Sequence, residues 1–466
     1  MAVSIDQRPL YEILPIGQQI IFAVSENTIV ATKYKVKFIA KVHVSTQGIN
    51  PNGTDTLIGT FKTTPNNEGV GIFDLRPILE AFVTPDYEGS TIGDGSSYKR
   101  QKITHPIHLI DKFAVSENNL RFFAIKFDIE YSETDTGAVL SPLDQSSSEA
   151  VTSLEYTMFN GVLQYDDVLT LSGNDYGYYL GYPDGANFFR DNSASNFLTN
   201  APTTQYARLT DYGTLPFFNY LPSPDNKVAS MIVTYYWDGG SSVEVIFQNL
   251  VNGGSDSYAN AYDPLMYFGA FPGNLQNTST IFAGAVVLGL THYTIHAQTD
   301  TSASQHYTIN IICPNERGHE GIRLTWLNQW GTWDYYTFNM KSTKSINTKR
   351  IAYTPLGGTW NESTFKIAGY KGGKKNFRVN STENIKINTD FVTEAEGVWF
   401  EELINSNEVY ILNGFSADVA DTITNKYVEP VVLNTSSYVK KTIANDKLMQ
   451  YTFEIEKSRM KRTQSV

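Results

Sequence analysis

Three histidines lie close together in the sequence, and histidine is the residue type best suited to bind a transition metal. His292 and His296 are four residues apart, so they share one face if the segment is a strand, and His306 could join them across a hairpin. Three imidazoles are sufficient to hold a zinc ion. However, no Asp or Glu accompanies them at ligand spacing, and the Thr, Tyr and Ile neighbours are typical of an ordinary exposed strand. We therefore expect no metal and no cofactor.

The motifs of nucleophilic catalysis are missing from the sequence. It contains no Gly-x-Ser-x-Gly and no His-Glu-x-x-His. The single cysteine, Cys313, ends a predicted strand and does not begin a helix, so nothing there activates the thiol. The Gly-Lys segment at 369–375 lacks the P-loop pattern, because Ala368 and Lys375 stand where a P-loop has glycine and a hydroxyl residue. We expect a protein that is not an enzyme.

Composition and charge indicate an acidic chain that folds without disulfides. The chain has 466 residues, 41% of them hydrophobic, a net charge of −12 and one cysteine. One cysteine excludes a disulfide within the chain, and the negative charge disfavours general nucleic-acid binding. The longest apolar stretch, residues 281–290, is much shorter than the ~20 residues of a spanning helix, so we expect no membrane insertion. The N-terminal residues show no signal peptide.

The charge is segregated along the sequence. Residues 133–300 contain 17 acidic and three basic residues, a net charge of −14, whereas residues 341–378 contain nine basic residues and one acid, Glu362, for +8. Such segregation is typical of surfaces that meet opposite charge on a partner or a neighbouring subunit. An equally simple interpretation is an acidic and a basic surface that are both solvated.

The residue pattern predicts a mainly β fold. The chain has 29 Tyr and 26 Phe, and Gly and Asn recur at intervals that suit turns. We expect several β-sandwich or barrel-like domains with long loops and one or two short helices. Apolar and polar residues alternate at 34–44 and at 121–131, which is the pattern of half-buried strands. Further predicted strands cover 228–237, 243–250, 307–313, 408–412 and 449–455.

Two segments carry helix signals. Thr393 and Glu396 have the spacing of a capping box and precede an apolar segment that extends to Ile404. Asp74 is placed to cap a shorter helix over residues 75–82. From these elements we predict an N-terminal β domain (1–160), an acidic loop-rich β region (161–305), a hairpin-rich β domain with a Trp cluster (306–390) and a C-terminal α+β unit with a basic tail (391–466).

The segment 321–338 contains three tryptophans and predicts a strand, a tight turn at 328–331 and a return strand. Large, stiff indole rings suit a packing centre and offer no reactive group. We predict that five residues of this hairpin form a structural cornerstone: Trp326, Asn328, Gly331, Asp334 and Phe338.

This hairpin resembles virion proteins of tailed phages, particularly short-tailed crAss-like phages. In those proteins a Trp-Leu-Asn-x-x-Gly-x-x-Asp-x-Phe/Tyr-x-Phe pattern follows a Cys-bearing strand and precedes Lys-rich strands, as residues 326–338 do between Cys313 and the Lys-rich 341–350. The resemblance is strong over residues 306–456, where it includes the segments 399–412 and 452–456. Two earlier segments, 73–79 and 197–202, also resemble the family. Trp330 and Trp333 depart from the family, in which smaller residues are usual at these positions.

The resemblance implies a structural tail protein, such as a ring, adaptor or hub subunit between the portal and the distal tail. Its partners would be copies of itself in a six- or twelve-fold ring and other tail or portal proteins, and it would be assembled in the bacterial cytoplasm into the virion. A passing contact between the basic segment and phage DNA stays open. As a hypothesis, the assembly interface joins the acidic segment 133–300 to basic residues of a neighbour, namely Lys341, Lys344, Lys349, Arg350, Lys371, Lys374 and Lys375.

Two alternatives belong to other functional classes. A tail fibre or a glycan- or receptor-binding protein would use the many aromatic residues as a binding surface, although a fibre usually shows internal repeats. A glycan depolymerase would need two carboxylates across a cleft, and the adjacent pairs 166–167 and 401–402 do not provide that arrangement from sequence.

Overall fold

The structure of the protein is a computed structural model. It describes residues 3–9, 13–46, 56–87, 107, 110, 113–116, 118–139, 150–162, 197–218, 228–249, 265–298, 303–312, 318–413, 428–435, 437, 439 and 449–463. Cys313 and most of the acidic residues in the segment 133–300 lie outside these ranges.

The chain divides into two compact units. Unit 1 is Met1–Ile312 with Leu327–Asp334, and unit 2 is Cys313–Trp326 with Tyr335–Val466. This division differs from the four predicted ranges, because strand pairing joins segments that are distant in the sequence. For example, a strand at 307–311 pairs with strands of the predicted acidic region, and one at 375–388 pairs with a strand at 452–457 of the predicted C-terminal unit.

The fold is mainly β, as the sequence predicts, with several multi-stranded sheets. The strands in chain order are β1 (Ser4–Gln7), β2 (Ile13–Pro15), β3 (Ile21–Ser25), β4 (Tyr34–Ser45), β5 (Thr56–Thr63), β6 (Val70–Asp74), β7 (Phe113–Val115), β8 (Leu120–Ser132), β9 (Val151–Thr152), β10 (Tyr156–Phe159), β11 (Thr204–Ala207), β12 (Thr214–Phe218), β13 (Ser230–Trp237), β14 (Ser241–Gln248), β15 (Leu265–Gly269), β16 (Leu290–Gln298), β17 (Tyr307–Ile311), β18 (Ile322–Leu327), β19 (Trp333–Phe338), β20 (Thr343–Tyr353), β21 (Lys375–Asn388), β22 (Val409–Leu412), β23 (Val428–Leu433) and β24 (Thr452–Lys457).

The described residues contain more helices than the one or two predicted, although all are short. They are α1 (Asn27–Thr32), α2 (Arg76–Leu79), α3 (Pro272–Thr278), α4 (Thr280–Val287) and α5 (Glu394–Asn405), and a 3-10 turn (Glu80–Phe82) continues α2. The predicted capping box of α5 is confirmed, since Glu396 N–H donates to Thr393 Oγ1 at 3.3 Å and Thr393 N–H donates to Glu396 Oε2 at 2.7 Å. Asp74 caps α2 from one position earlier, by accepting from Arg76 N–H at 3.2 Å.

In unit 1, two sheets enclose a hydrophobic core. One has the order β1-β3-β6, and the other has the order β2-β10-β8-β4-β5 with β9 beside β8. Their facing side chains form one apolar cluster, in which the Phe127 ring lies 5.5 Å from Phe22 and 5.7 Å from Phe73. Aromatic and β-branched residues at alternate positions thus produce a sandwich-like pair of sheets.

Strand β8 departs from the predicted half-buried pattern, because both of its faces are buried. Its apolar face lies in the core, but Lys126, Asp128 and Glu130 on the other face are also buried. Within its sheet, β8 lies between β4 and β10, so it is an interior strand and not an edge strand. Lys62 Nζ lies 2.5 Å from Glu130 Oε2 and compensates that buried carboxylate.

Unit 1 contains two more sheets, with the orders β11-β17-β16-β13-β14 and β12-β15-β7. Unit 2 is built on one seven-stranded sheet with the order β19-β18-β22-β23-β24-β21-β20. Helix α5 buries Trp399 and Phe400 against this sheet, where Phe400 lies 5.6 Å from Phe453 and 6.1 Å from Phe338. Strand β20 is the last strand in this order, which makes it the sheet edge.

Candidate assembly interface

Strands β20 and β21 form a long antiparallel ribbon that we call the arm, comprising residues 343–388 with the connecting tip 354–374. Their pairing extends from Thr343–Lys386 to Tyr353–Lys375. All 11 residues of β20 are exposed, and so are residues 376–379 of β21, whereas Ile385 and Ile387 near the base are buried. Only the base of the arm therefore contributes to the core of unit 2.

The structure brings the predicted basic residues to this arm. Lys341 lies just before β20, and Lys344, Lys349 and Arg350 lie on that strand. Lys375 begins β21 and donates to the Tyr370 carbonyl, and the two remaining lysines are just before it, at 371 and 374. A turn at 369–371 precedes this strand.

Most of this positive charge is not neutralised within the described part of the chain. Lys344 is the exception among the predicted residues, because its Nζ lies 2.9 Å from Glu320 Oε2. Among the described residues, Lys349, Arg350 and Lys374 have no acidic partner within ion-pair distance. The arm thus presents a positive surface to solvent.

The apolar residues of the tip were not predicted from the sequence to belong to the interface. Five of them are mostly exposed: Leu356 (73%), Trp360 (78%), Phe365 (67%), Ile367 (83%) and Tyr370 (77%). Five exposed apolar side chains within one segment of 15 residues mark this tip as a candidate interaction site. In the sequence these residues stand among Gly, Thr and Lys and lack the apolar–polar alternation of a half-buried strand. That pattern was the signal that could have indicated their exposure.

The tip is an ordered hairpin. Thr359 N–H donates to the Lys366 carbonyl at 3.0 Å, and Ala368 N–H donates to the Gly357 carbonyl at 2.9 Å. Lys366 N–H also donates to Thr359 Oγ1 at 3.0 Å. These hydrogen bonds hold the exposed apolar residues in one arrangement before any partner is bound.

The basic C-terminal segment is anchored near the base of the arm. Lys461 and Ser381 exchange backbone hydrogen bonds of 2.9 and 3.2 Å, and Lys461 Nζ lies 2.5 Å from Glu383 Oε2. This hydrogen bond with Lys461 lowers the pKa of Glu383, and the same contact raises the pKa of Lys461. As far as residue 463, the tail therefore belongs to the sheet of unit 2.

The five predicted cornerstone residues fall in both units. Trp326 and Phe338 belong to the aromatic core of unit 2, where Trp326 lies 4.9 Å from Trp399 and Phe338 lies 5.8 Å from Phe453. The other three lie in the turn segment 327–334, which belongs to unit 1. The predicted hairpin 321–338 is therefore shared between the two units.

Asn328 organises that turn. Its Oδ1 accepts from Trp330 N–H at 3.0 Å and from Thr332 N–H at 3.1 Å, and its Nδ2 donates to Asp334 Oδ1 at 3.0 Å. Nδ2 also donates to the Leu198 carbonyl at 3.0 Å. A buried amide with this many partners fixes both the turn and its position in unit 1.

Gly331 and the unusual tryptophans complete the turn. Gly331 has φ +69°, and a Cβ there would collide with the Asn160 carbonyl. Trp333 Nε1 donates to the Asp86 carbonyl at 2.9 Å, and Trp330 stacks on Phe159 at 6.3 Å. The two tryptophans that depart from the phage family are therefore packed within unit 1.

Of the three histidines considered as metal ligands, two stack on each other and the third stacks on a tyrosine. His296 and His306 stack with ring centroids 4.1 Å apart, whereas His292 stacks on Tyr236 at 4.6 Å. Burial, together with the neighbouring His306, lowers the pKa of His296 to about 4. In the described ranges, no group of three or more His, Cys, Asp or Glu side chains is arranged to hold a metal ion.

No protein-family model and no curated protein matches the chain.

Among the helices of the described residues, none is long and apolar enough to cross a membrane.

Proposed function

We propose that this protein is a structural subunit of a phage virion tail and forms part of a ring or adaptor between the portal and the distal tail. The resemblance of residues 306–456 to crAss-like phage virion proteins supports this proposal. The observation that carries it is the arm, which has a basic surface and exposed apolar residues with no covering partner in the described chain.

The physical argument starts from the stability of a two-stranded ribbon. Such a ribbon is at best marginally stable when both of its faces contact water. The outer part of the arm is exposed on both strands, so burial against another molecule would stabilise it. Assembly into a virion supplies that burial.

Charge suggests which surfaces meet. Residues 341–378, which include most of the arm, carry +8 and the segment 133–300 carries −14, so the arm of one copy is complementary to the acidic segment of the next. Because the two surfaces differ, the contact is head-to-tail, and such contacts form a closed ring when the rotation between subunits divides a full turn evenly.

Charge reversal on the arm tests this interface. We expect the triple variant Lys349→Glu/Arg350→Glu/Lys374→Glu to remain monomeric under conditions in which the unmodified protein assembles, because like charges would then face each other. The control Arg8→Glu/Arg459→Glu/Arg462→Glu makes the same change in net charge at exposed positions outside the arm and should assemble normally. Mass measured by light scattering distinguishes these results. Normal assembly of the arm variant would show that these basic residues are not part of the interface.

A glycan-binding tail protein is the second candidate, and one observation favours it. Trp360 and Tyr370 are 78% and 77% exposed on the ordered tip, and flat aromatic rings of this kind can stack on sugars. Binding on a glycan array that is lost in Trp360→Ser would support this candidate, and an array without binding would count against it.

A further inference from the structure

The exposed tip of the arm has a composition that distinguishes between classes of partner. Two of its five exposed apolar residues, Leu356 and Ile367, are aliphatic and are 73% and 83% exposed. Aromatic side chains can stack on nucleic-acid bases, but aliphatic side chains offer no flat face for such stacking. A mixture of aliphatic and aromatic side chains instead fits an apolar groove on a protein.

The tip is also prepared for binding. The hydrogen bonds between residues 357–359 and 366–368 fix its backbone, and Glu362 lies 3.6 Å from Lys366 across the small hairpin. A preorganised element loses little conformational freedom when it docks, so more of the contact energy contributes to affinity. Exposed aromatic anchors on such an element are typical hot spots of interfaces.

The charge around the tip indicates which protein would provide the groove. Lys366, Lys371 and Lys374 lie in the same tip segment as the apolar residues, and Arg378 follows on β21, so a complementary groove would have an acidic rim. The chain itself has such acidity, with −14 over residues 133–300. A second copy of the chain therefore matches the tip in charge.

We propose that the apolar tip of the arm, formed by Leu356, Trp360, Phe365, Ile367 and Tyr370, is the anchor of self-assembly and docks in an acidic-rimmed apolar groove on a second copy of this chain. The basic strands of the arm guide the encounter, and the tip supplies most of the affinity. This inference rests on the proposed function, because it specifies the contact by which the subunits of the tail structure join.

The test compares two double variants. Trp360→Ser/Ile367→Ser removes two anchors from the tip, and the control Val398→Ser/Val439→Ser removes two apolar residues that are 51% and 72% exposed and lie outside both the arm and the segment 133–300. Sedimentation at increasing protein concentration gives the concentration at which each protein assembles. We expect the tip variant to need at least about tenfold more protein, since a hot-spot truncation typically has an effect of this size, and we expect the control to match the unmodified chain. Circular dichroism establishes that each variant is folded.

The possible outcomes separate the inference from the proposed function. If the tip variant assembles at the same concentration as the unmodified protein, the tip is not the anchor, although the tail-subunit proposal stands. If the unmodified protein does not assemble at any concentration, self-assembly itself fails. If the tip variant loses binding to a fluorescent single-stranded oligonucleotide but assembles normally, nucleic acid is the occupant and the inference is wrong.

Crosslinking identifies the occupant directly. A photoreactive phenylalanine analogue at position 360 is introduced into ¹⁵N-labelled protein, which is mixed with unlabelled protein before irradiation. We expect mass spectrometry to find crosslinks between labelled and unlabelled peptides. Crosslinks only within labelled chains would show that the tip contacts its own molecule and would overturn the proposal.

Discussion

At the scale of single residues, His296 is the group whose ionisation is most altered by the fold. It lies on β16, its side chain is buried, and its ring stacks on His306. In the described part of the chain, its Nδ1 is buried without a hydrogen-bond partner. Burial disfavours the charged imidazolium, and the neighbouring imidazole adds repulsion, so the pKa of His296 falls from 6.5 to about 4.

This shift predicts a specific loss of stability in acid. Between pH 6.5 and 4 the unfolded chain binds a proton at His296 that the folded chain does not bind, so stability decreases as the pH falls through this range. The loss attributable to this residue is at most about 3 kcal/mol at pH 4. Denaturant midpoints measured from pH 7 to pH 4 should decrease less steeply in His296→Gln than in the unmodified protein.

Thr294 provides the control, because it lies on the same strand as His296 and has no ionisable side chain. Thr294→Ser should keep the pH dependence of the unmodified protein. An equal slope in His296→Gln would show that burial of His296 does not contribute to acid sensitivity.

At the scale of elements, the turn between β18 and β19 depends on close backbone approach. Gly331 and Gly373 both have positive φ, +69° and +85°, but a Cβ would collide with the Asn160 carbonyl only at Gly331 and would meet nothing within 4 Å at Gly373. We therefore expect Gly373→Ala to cost about 1 kcal/mol from backbone strain, and Gly331→Ala to cost at least about 3 kcal/mol. Chemical denaturation measures both values. Similar losses in the two variants would contradict the close packing of this turn.

The comparison between prediction and structure is clearest for these elements. Helix α5 could be predicted because its capping box consists of residues three apart, and the strands could be predicted because alternation is a local pattern. The buried polar face of β8 could not be predicted, since the burial of Asp128 and Glu130 depends on strands distant in the sequence. The exposure of β20 could not be predicted either, because its sequence does not show whether another element covers its two faces.

The sequence predicted the basic residues of the candidate interface but not its exposed apolar residues. The basic residues were found because charge is visible in the sequence, and the structure brings them to one arm. Trp360 and Ile367 were missed because an apolar residue in a sequence usually indicates a core, and only coordinates show that these side chains are exposed. The assignment of the cornerstone residues to two units likewise depends on where the chain divides, at 326–327 and 334–335.

At the scale of the whole molecule, the chain combines a −14 segment and a +8 segment within a total of −12. Complementary segments on one chain favour association between copies, and the interaction between exposed charges weakens as salt is added. The arm places the positive segment on an exposed edge strand and adds an apolar tip. These features together support a subunit that is completed by its neighbours.

The particle formed by the purified protein tests this account most directly. Light scattering combined with negative-stain electron microscopy gives its mass and symmetry. The account predicts closed rings of about six or twelve copies joined head-to-tail. A slender trimer would contradict it and would favour a tail fibre, and a protein that stays monomeric at every concentration would contradict self-assembly through the arm.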